Sequence, residues 1–117
     1  MARGNEKFGE LVRAKRVLKE IGLREMAKMI GVSPTYLSKV ERDEFPPPAE
    51  DKVRKIAAII GCDSDELLAQ AGRVSSDLSE IIKQRPREIA ALLRTTKGLS
   101  ADAVTKLARQ AQRTKNK

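Results

Sequence analysis

Histidine and tryptophan are absent from these 117 residues, and there is one cysteine, Cys62. Without histidine no Ser/His or Cys/His nucleophile pair can be assembled, and a single cysteine cannot complete the usual zinc ligand sets. No catalytic residue, no metal site and no cofactor is therefore expected. The lone cysteine also excludes an internal disulfide. The longest purely apolar runs, Ile56–Ile60 and Ile89–Leu93, are five residues each, against the ~20 that a membrane span needs. The start, Met1-Ala2-Arg3-Gly4-Asn5-Glu6, lacks the apolar stretch of a secretory signal. A cytoplasmic location without membrane contact is expected.

Aromatic residues make up only 3% of the chain, and β-branched residues are few beside Ala, Leu, Lys, Glu and Arg. That balance predicts an all-α fold with an aliphatic core. What is abundant is charge: 34% of residues are ionic, with 24 Lys and Arg against 16 Asp and Glu, giving +8. Such an excess favours a polyanionic partner, nucleic acid first.

Apolar spacing and punctuation divide residues 6–72 into five helices. Asn5 is read as the cap of a first helix carrying Phe8, Leu11, Val12, Leu18 and Ile21 inward and ending at Gly22, with Arg13, Lys15, Arg16 and Lys19 on its other side. A second, Leu23 to Ile30, packs Met26, Ala27 and Ile30 and stops at Gly31. Ser33-Pro34 then reads as an N-cap followed by proline at the first helical position, where its missing N–H costs nothing. This third helix runs to Glu41 with Leu37 and Val40 inward. Pro46, Pro47 and Pro48 force a loop. A fourth helix over about Ala49 to Ile60 and a fifth, capped by Asp63 or Ser64 and closed by Gly72, complete the set.

Residues 73–117 differ in charge. They hold eleven basic and four acidic residues, a net +7, whereas residues 1–72 are close to neutral at +1. Helical spacing continues through Leu78, Ile81 and Ile82, through Ile89, Leu92 and Leu93 after Pro86, and through Val104, Leu107, Ala108 and Ala111 after Ser100. From Arg109 onward neither an acid nor a large apolar residue remains, so the last several residues are expected to form a frayed basic tail.

A short helix, a Gly31-Val32-Ser33 turn and a second helix with small, polar outward residues have the order and spacing of a pair that enters a major groove ~12 Å wide. Gly31 permits the tight corner, Val32 plugs the angle, and Ala27 lets the two backbones approach. The run Gly22-Leu23-Arg24-Glu25-Met26-Ala27-Lys28-Met29-Ile30-Gly31-Val32-Ser33-Pro34-Thr35-Tyr36-Leu37-Ser38-Lys39-Val40-Glu41-Arg42 resembles the helix-turn-helix of the phage Cro and lambda-repressor-like, or XRE-type, regulators. The likeness extends from about Leu11 to Leu68. It implies a five-helix lambda-repressor-like DNA-binding domain over residues 6–72, with residues 73–117 as a C-terminal helical extension.

Carried over position by position, the resemblance makes Thr35, Tyr36 and Lys39 the base readers. A hydroxyl suits either base type, lysine favours the O6/N7 edge of guanine, and the tyrosine ring suits a thymine methyl, a phosphate or half-buried packing. Arg24, Ser33, Ser38 and Arg42 fall at backbone-contacting positions, Ser33 acting first as a cap. Arg16 and Glu41 match a partly buried ion pair that joins the first helix to the third. Two departures weaken phosphate binding. Gly22 and Leu23 offer no side-chain donor, and the loop Asp43-Glu44-Phe45 and its three prolines carry two acids and no cation, with Asp43 where the family has glycine.

One helix-turn-helix buries little surface, and two half-sites a helical turn apart multiply affinity. Ile81, Ile82, Ile89, Leu92, Leu93, Val104 and Leu107 are too many apolar residues for a five-helix domain to hide, so homodimerisation through residues 73–117 is expected. The expected function is a sequence-specific, double-stranded DNA-binding transcriptional regulator, a dimeric repressor occupying an operator. The alternative is an antitoxin-type regulator that neutralises a protein partner and represses its own operon. Enzymatic activity is not expected.

Overall fold

The computed structural model describes residues 6–116; the expected cap at Asn5 lies outside them. Among the described residues all the regular elements are helices: α1 (Phe8–Leu18), α2 (Leu23–Ile30), α3 (Pro34–Glu41), α4 (Glu50–Ile60), α5 (Ser64–Gln70), α6 (Ser76–Gln84), α7 (Pro86–Thr95) and α8 (Ala101–Lys115). The described residues divide into two units, 6–76 and 77–116.

In the first unit α2 packs on α3 and α4, α1 on α3 and α4, and α4 on α5. Each helix contributes its apolar stripe to one core: Phe8 and Val12, then Met26, Ala27 and Ile30, then Leu37 and Val40, then Val53, Ile56, Ala57 and Ile60, then Leu67 and Leu68. The phenylalanine is the one aromatic ring in that set, so the interior is aliphatic.

Helix α1 ends earlier than its apolar spacing suggests. Lys19 closes it, Glu20 takes a left-handed φ of +57°, and Gly22 serves as the N-cap of α2. Leu18, expected inward, is 82% exposed, while Arg16, outward by helical spacing but expected in a partly buried pair with Glu41, is buried. The reason is rotational: the stripe through Phe8 and Val12 continues at Arg16, one turn on, and leaves Leu18 on the far side.

Gly9 is where α1 touches the end of α3. A Cβ there would stand 2.7 Å from the Glu41 carbonyl oxygen and from Asp43 Oδ1, and would collide with the Val40 carbonyl oxygen. Gly9→Ala must push α1 off α3 and is expected to cost about 2 kcal/mol. The midpoint of urea unfolding measures it, and an unchanged midpoint would mean that α1 lifts away freely.

The boundary between the units lies four residues beyond the expected one at 72/73. Arg73 reaches back to donate to the Pro47 carbonyl at 2.7 Å and to that of Pro48. Ser76 N–H donates to Glu50 Oε1 at 3.2 Å, and Ser75 Oγ accepts from Arg54. These bonds tie residues 73–76 to the first unit. Hydrogen bonding from Arg54, then from Ser76, holds the Glu50 carboxyl below the usual carboxylate range. The stabilisation is complete above the ordinary pKa and fades as pH falls through the lowered one.

In the second unit, Pro86 opens α7, Gly98 turns the chain at φ +88°, and Ser100 Oγ caps α8 by accepting from Ala103 N–H at 3.1 Å. None of α6, α7 and α8 contains a buried residue. The basic tail, expected to fray over its last several residues, is instead helical to Lys115, because Arg109 to Lys115 contains neither glycine nor proline and is built mostly of good helix formers.

Candidate nucleic-acid interface

The corner between α2 and α3 is set by Gly31, whose φ of +78° only glycine adopts without strain. Val32 N–H then bonds the Ala27 carbonyl at 2.9 Å, closing α2. Ser33 Oγ accepts from Tyr36 N–H at 3.0 Å and Pro34 occupies the first helical position, so α3 starts in one fixed direction. With Leu37 and Val40 buried beneath, Thr35 is exposed while Tyr36, Ser38 and Lys39 are half-buried. The three expected base readers thus share the outer side of a two-turn helix.

Arg16 and Glu41 join α1 to α3 in a bidentate pair. Arg16 Nε lies 2.7 Å from Glu41 Oε2 and Nη2 lies 2.9 Å from Oε1, while Nη1 donates to the Ile21 carbonyl at 2.7 Å. Glu41 is 4% exposed. Its hydrogen bond holds the Arg16 guanidinium pKa above its ordinary value, outweighing the opposing effect of burial.

Beside this pair runs a shallow groove of about 230 Å³ lined by Arg13, Arg16, Leu23, Ser38, Glu41 and Arg42. Ser38 and Arg42 are brought together there, but Arg24 and Ser33 do not line it. Arg13 is an addition that helical spacing alone could not mark, because it reads as one of several cations on an outer face. Of the three guanidinium groups there, that of Arg16 is taken up by Glu41 and the Ile21 carbonyl, so Arg13 and Arg42 are the cations that face the groove. Arg42 Nε also lies 3.2 Å from Glu44 Oε2, at an exposed site.

The loop after α3, expected to add little phosphate affinity, makes structural contacts within the first unit. Asp43 takes the left-handed φ of +59°, and its Oδ1 accepts from Gly9 N–H at 2.9 Å. The acid thereby caps α1 across 34 residues of sequence. Phe45 lies with its ring centroid 5.8 Å from that of Tyr36 and 5.3 Å from Lys39 Nζ. Neither contact has a local sequence signal, since both depend on how the loop returns.

The residues expected to dimerise fall in the second unit. Leu92, Leu93, Val104 and Leu107 line one groove of about 470 Å³ together with Ala108 and Ala111. Ile81 is exposed, and Ile82 and Ile89 are half-buried.

Two short helices at a glycine corner, the second presenting polar side chains outward, define a helix-turn-helix DNA-binding protein. A helix-turn-helix family model matches residues 12–67. The ImmF control region 10 kDa protein of Bacillus phage phi105 is 37% identical over 62 residues, covering 53% of this chain and 68% of that protein. The chain belongs to the XRE-type helix-turn-helix family and is a sequence-specific DNA-binding transcriptional regulator. That family consists of transcription regulators, which are not enzymes.

The uncharacterized HTH-type transcriptional regulator RghRB of Bacillus subtilis (strain 168) is 27% identical over 74 residues, 63% of this chain. The match spans about half of that relative, 53%. Among solved structures, the P22 c2 repressor in complex with a synthetic operator shares 30% identity, covering 54% of this chain and 94% of that one at a TM-score of 0.49. No helix among the described residues is long and apolar enough to cross a membrane.

Proposed function

We propose that the chain is a homodimeric repressor that acts in the cytoplasm by occupying an operator and excluding polymerase. Residues 6–76 form the DNA-binding domain and residues 77–117 the dimerisation segment. The observation that carries this reading is the outer side of α3: Thr35, Tyr36 and Lys39 stand together on a helix fixed from beneath by Leu37 and Val40. Thr35 and Lys39 read base edges, and Tyr36 contacts a thymine methyl or the backbone. Arg13, Ser38 and Arg42 hold one phosphate in their groove, with Arg24 and Ser33 on the neighbouring backbone.

Dimerisation has its own support. Helices of nine, ten and fifteen residues are marginal in water unless an apolar face is covered. A second copy of the α7–α8 groove supplies that cover. A protein partner other than a second copy, as in an antitoxin-type regulator, would leave the isolated chain monomeric.

Selection of duplexes from a randomised pool tests the reading helix. Thr35→Ala and Lys39→Ala are each expected to relax base preference by about 5- to 150-fold at one position of the motif. Arg42→Ala, at a backbone-contacting position, is expected to weaken all sequences alike, lowering the log–log salt slope by about 0.9. Equal effects of the three substitutions on base preference would show that α3 is not the reading element.

A further inference from the structure

We infer that Phe45 is a specificity-determining positioning residue, which holds Lys39 and Tyr36 in the orientations from which they read bases. This rests on the reading of α3 proposed above. The ring is itself firmly placed. Before it, Glu44 and Phe45 N–H both donate to the Lys39 carbonyl, at 2.9 and 3.2 Å. After it come Pro46, Pro47 and Pro48, and the last two give their carbonyls to Arg73. Neither end of the loop is free to carry the ring away.

Against that ring rest two of the side chains that face DNA. Lys39 Nζ lies 5.3 Å from its centroid, within cation–π range, and the Tyr36 ring packs on it at 5.8 Å with a tilt of 45°. A lysine otherwise samples many rotamers, and fixing one of them before binding removes an entropic cost from the bound state. The ammonium has three donors, and contact with a ring face leaves donors to turn toward a guanine edge. Phe45 acts through Lys39 and Tyr36, so its loss alters which base is preferred, not merely how tightly any duplex is held.

The test uses the full chain and a randomised duplex pool, with Phe45→Leu, Phe45→Tyr and Lys39→Ala beside the unaltered protein. Phe45 is 41% exposed, so leucine keeps an apolar side chain without opening the core, and thermal midpoints check the fold. Phe45→Leu is expected to lose about fivefold or more in preference at the base pair that Lys39→Ala also relaxes. Its binding to a duplex of unrelated sequence should stay within about twofold, and Phe45→Tyr should keep the original motif. By NMR of the free protein, the Lys39 ε-methylene protons, shielded by the ring face, should move downfield in Phe45→Leu. Unchanged preference, equal weakening on every duplex, or unmoved Lys39 resonances would overturn the assignment. If the unaltered chain selects no motif at all, the reading of α3 falls and the role of Phe45 falls with it. A motif indifferent to Phe45→Leu overturns the positioning role alone.

Discussion

Glu41→Ala is expected to lower the stability of the first unit by about 3 kcal/mol, seen as a fall of roughly 10 to 25 °C in the thermal midpoint. The carboxylate is 4% exposed and takes two hydrogen bonds from Arg16, itself 8% exposed. Removing it leaves a guanidinium held among α1, α3 and the Ile21 carbonyl with its principal partner gone, which costs far more than an exposed pair is worth. A unit of about 76 residues has only about 4 to 11 kcal/mol in hand, so this is a large share. The double substitution Arg16→Met with Glu41→Leu replaces two charges by apolar groups of similar volume and should recover most of the loss. A Glu41→Ala midpoint within a few degrees of the original would mean that the pair is screened like a surface contact.

Leu107→Asp is expected to convert the protein from dimer to monomer and to weaken binding to a duplex with two half-sites by about 10²- to 10⁴-fold. Leu107 lines the groove shared by α7 and α8 and is 39% exposed in the single chain, so the acid harms no buried packing within one copy. It places a charge where the proposed interface must be dry. Affinity for a lone half-site should remain within about twofold, because α3 lies in the other unit. Sedimentation equilibrium and fluorescence anisotropy measure the two effects. An unaltered chain that sediments as a monomer, or a Leu107→Asp chain that still dimerises, would refute the proposed interface.

The α2–α3 corner was legible because its signals are local. Gly31, Ser33 and Pro34 each impose a backbone geometry that needs no distant partner, and the limits of both helices follow from them. The fourth and fifth helices were legible for the same reason, from the prolines before them and from Asp63, which caps α5. The end of α1 was not, since Glu20 adopts a left-handed backbone with no glycine to announce it. Nor did the chain advertise that Asp43 caps Gly9 or that Phe45 lies on Lys39. Spacing within one element cannot reveal contacts made by a loop folding back over it. Arg73 illustrates the same gap: composition assigned it to the basic extension, yet its guanidinium belongs to the proline loop.

The distribution of charge has a consequence for how the protein responds to its ionic surroundings. Residues 77–117 hold ten Lys and Arg against four Asp and Glu, so two such segments would repel as they met in the proposed dimer. Added electrolyte, with a screening length of about 8 Å near physiological strength, relieves that repulsion while it weakens the grip on phosphate. In the proposed dimer, subunit pairing and operator occupancy are thus expected to respond to salt with opposite sign. In dilute protein, where pairing limits occupancy, the apparent salt slope is shallower than the number of phosphates contacted; in concentrated protein it approaches the full count.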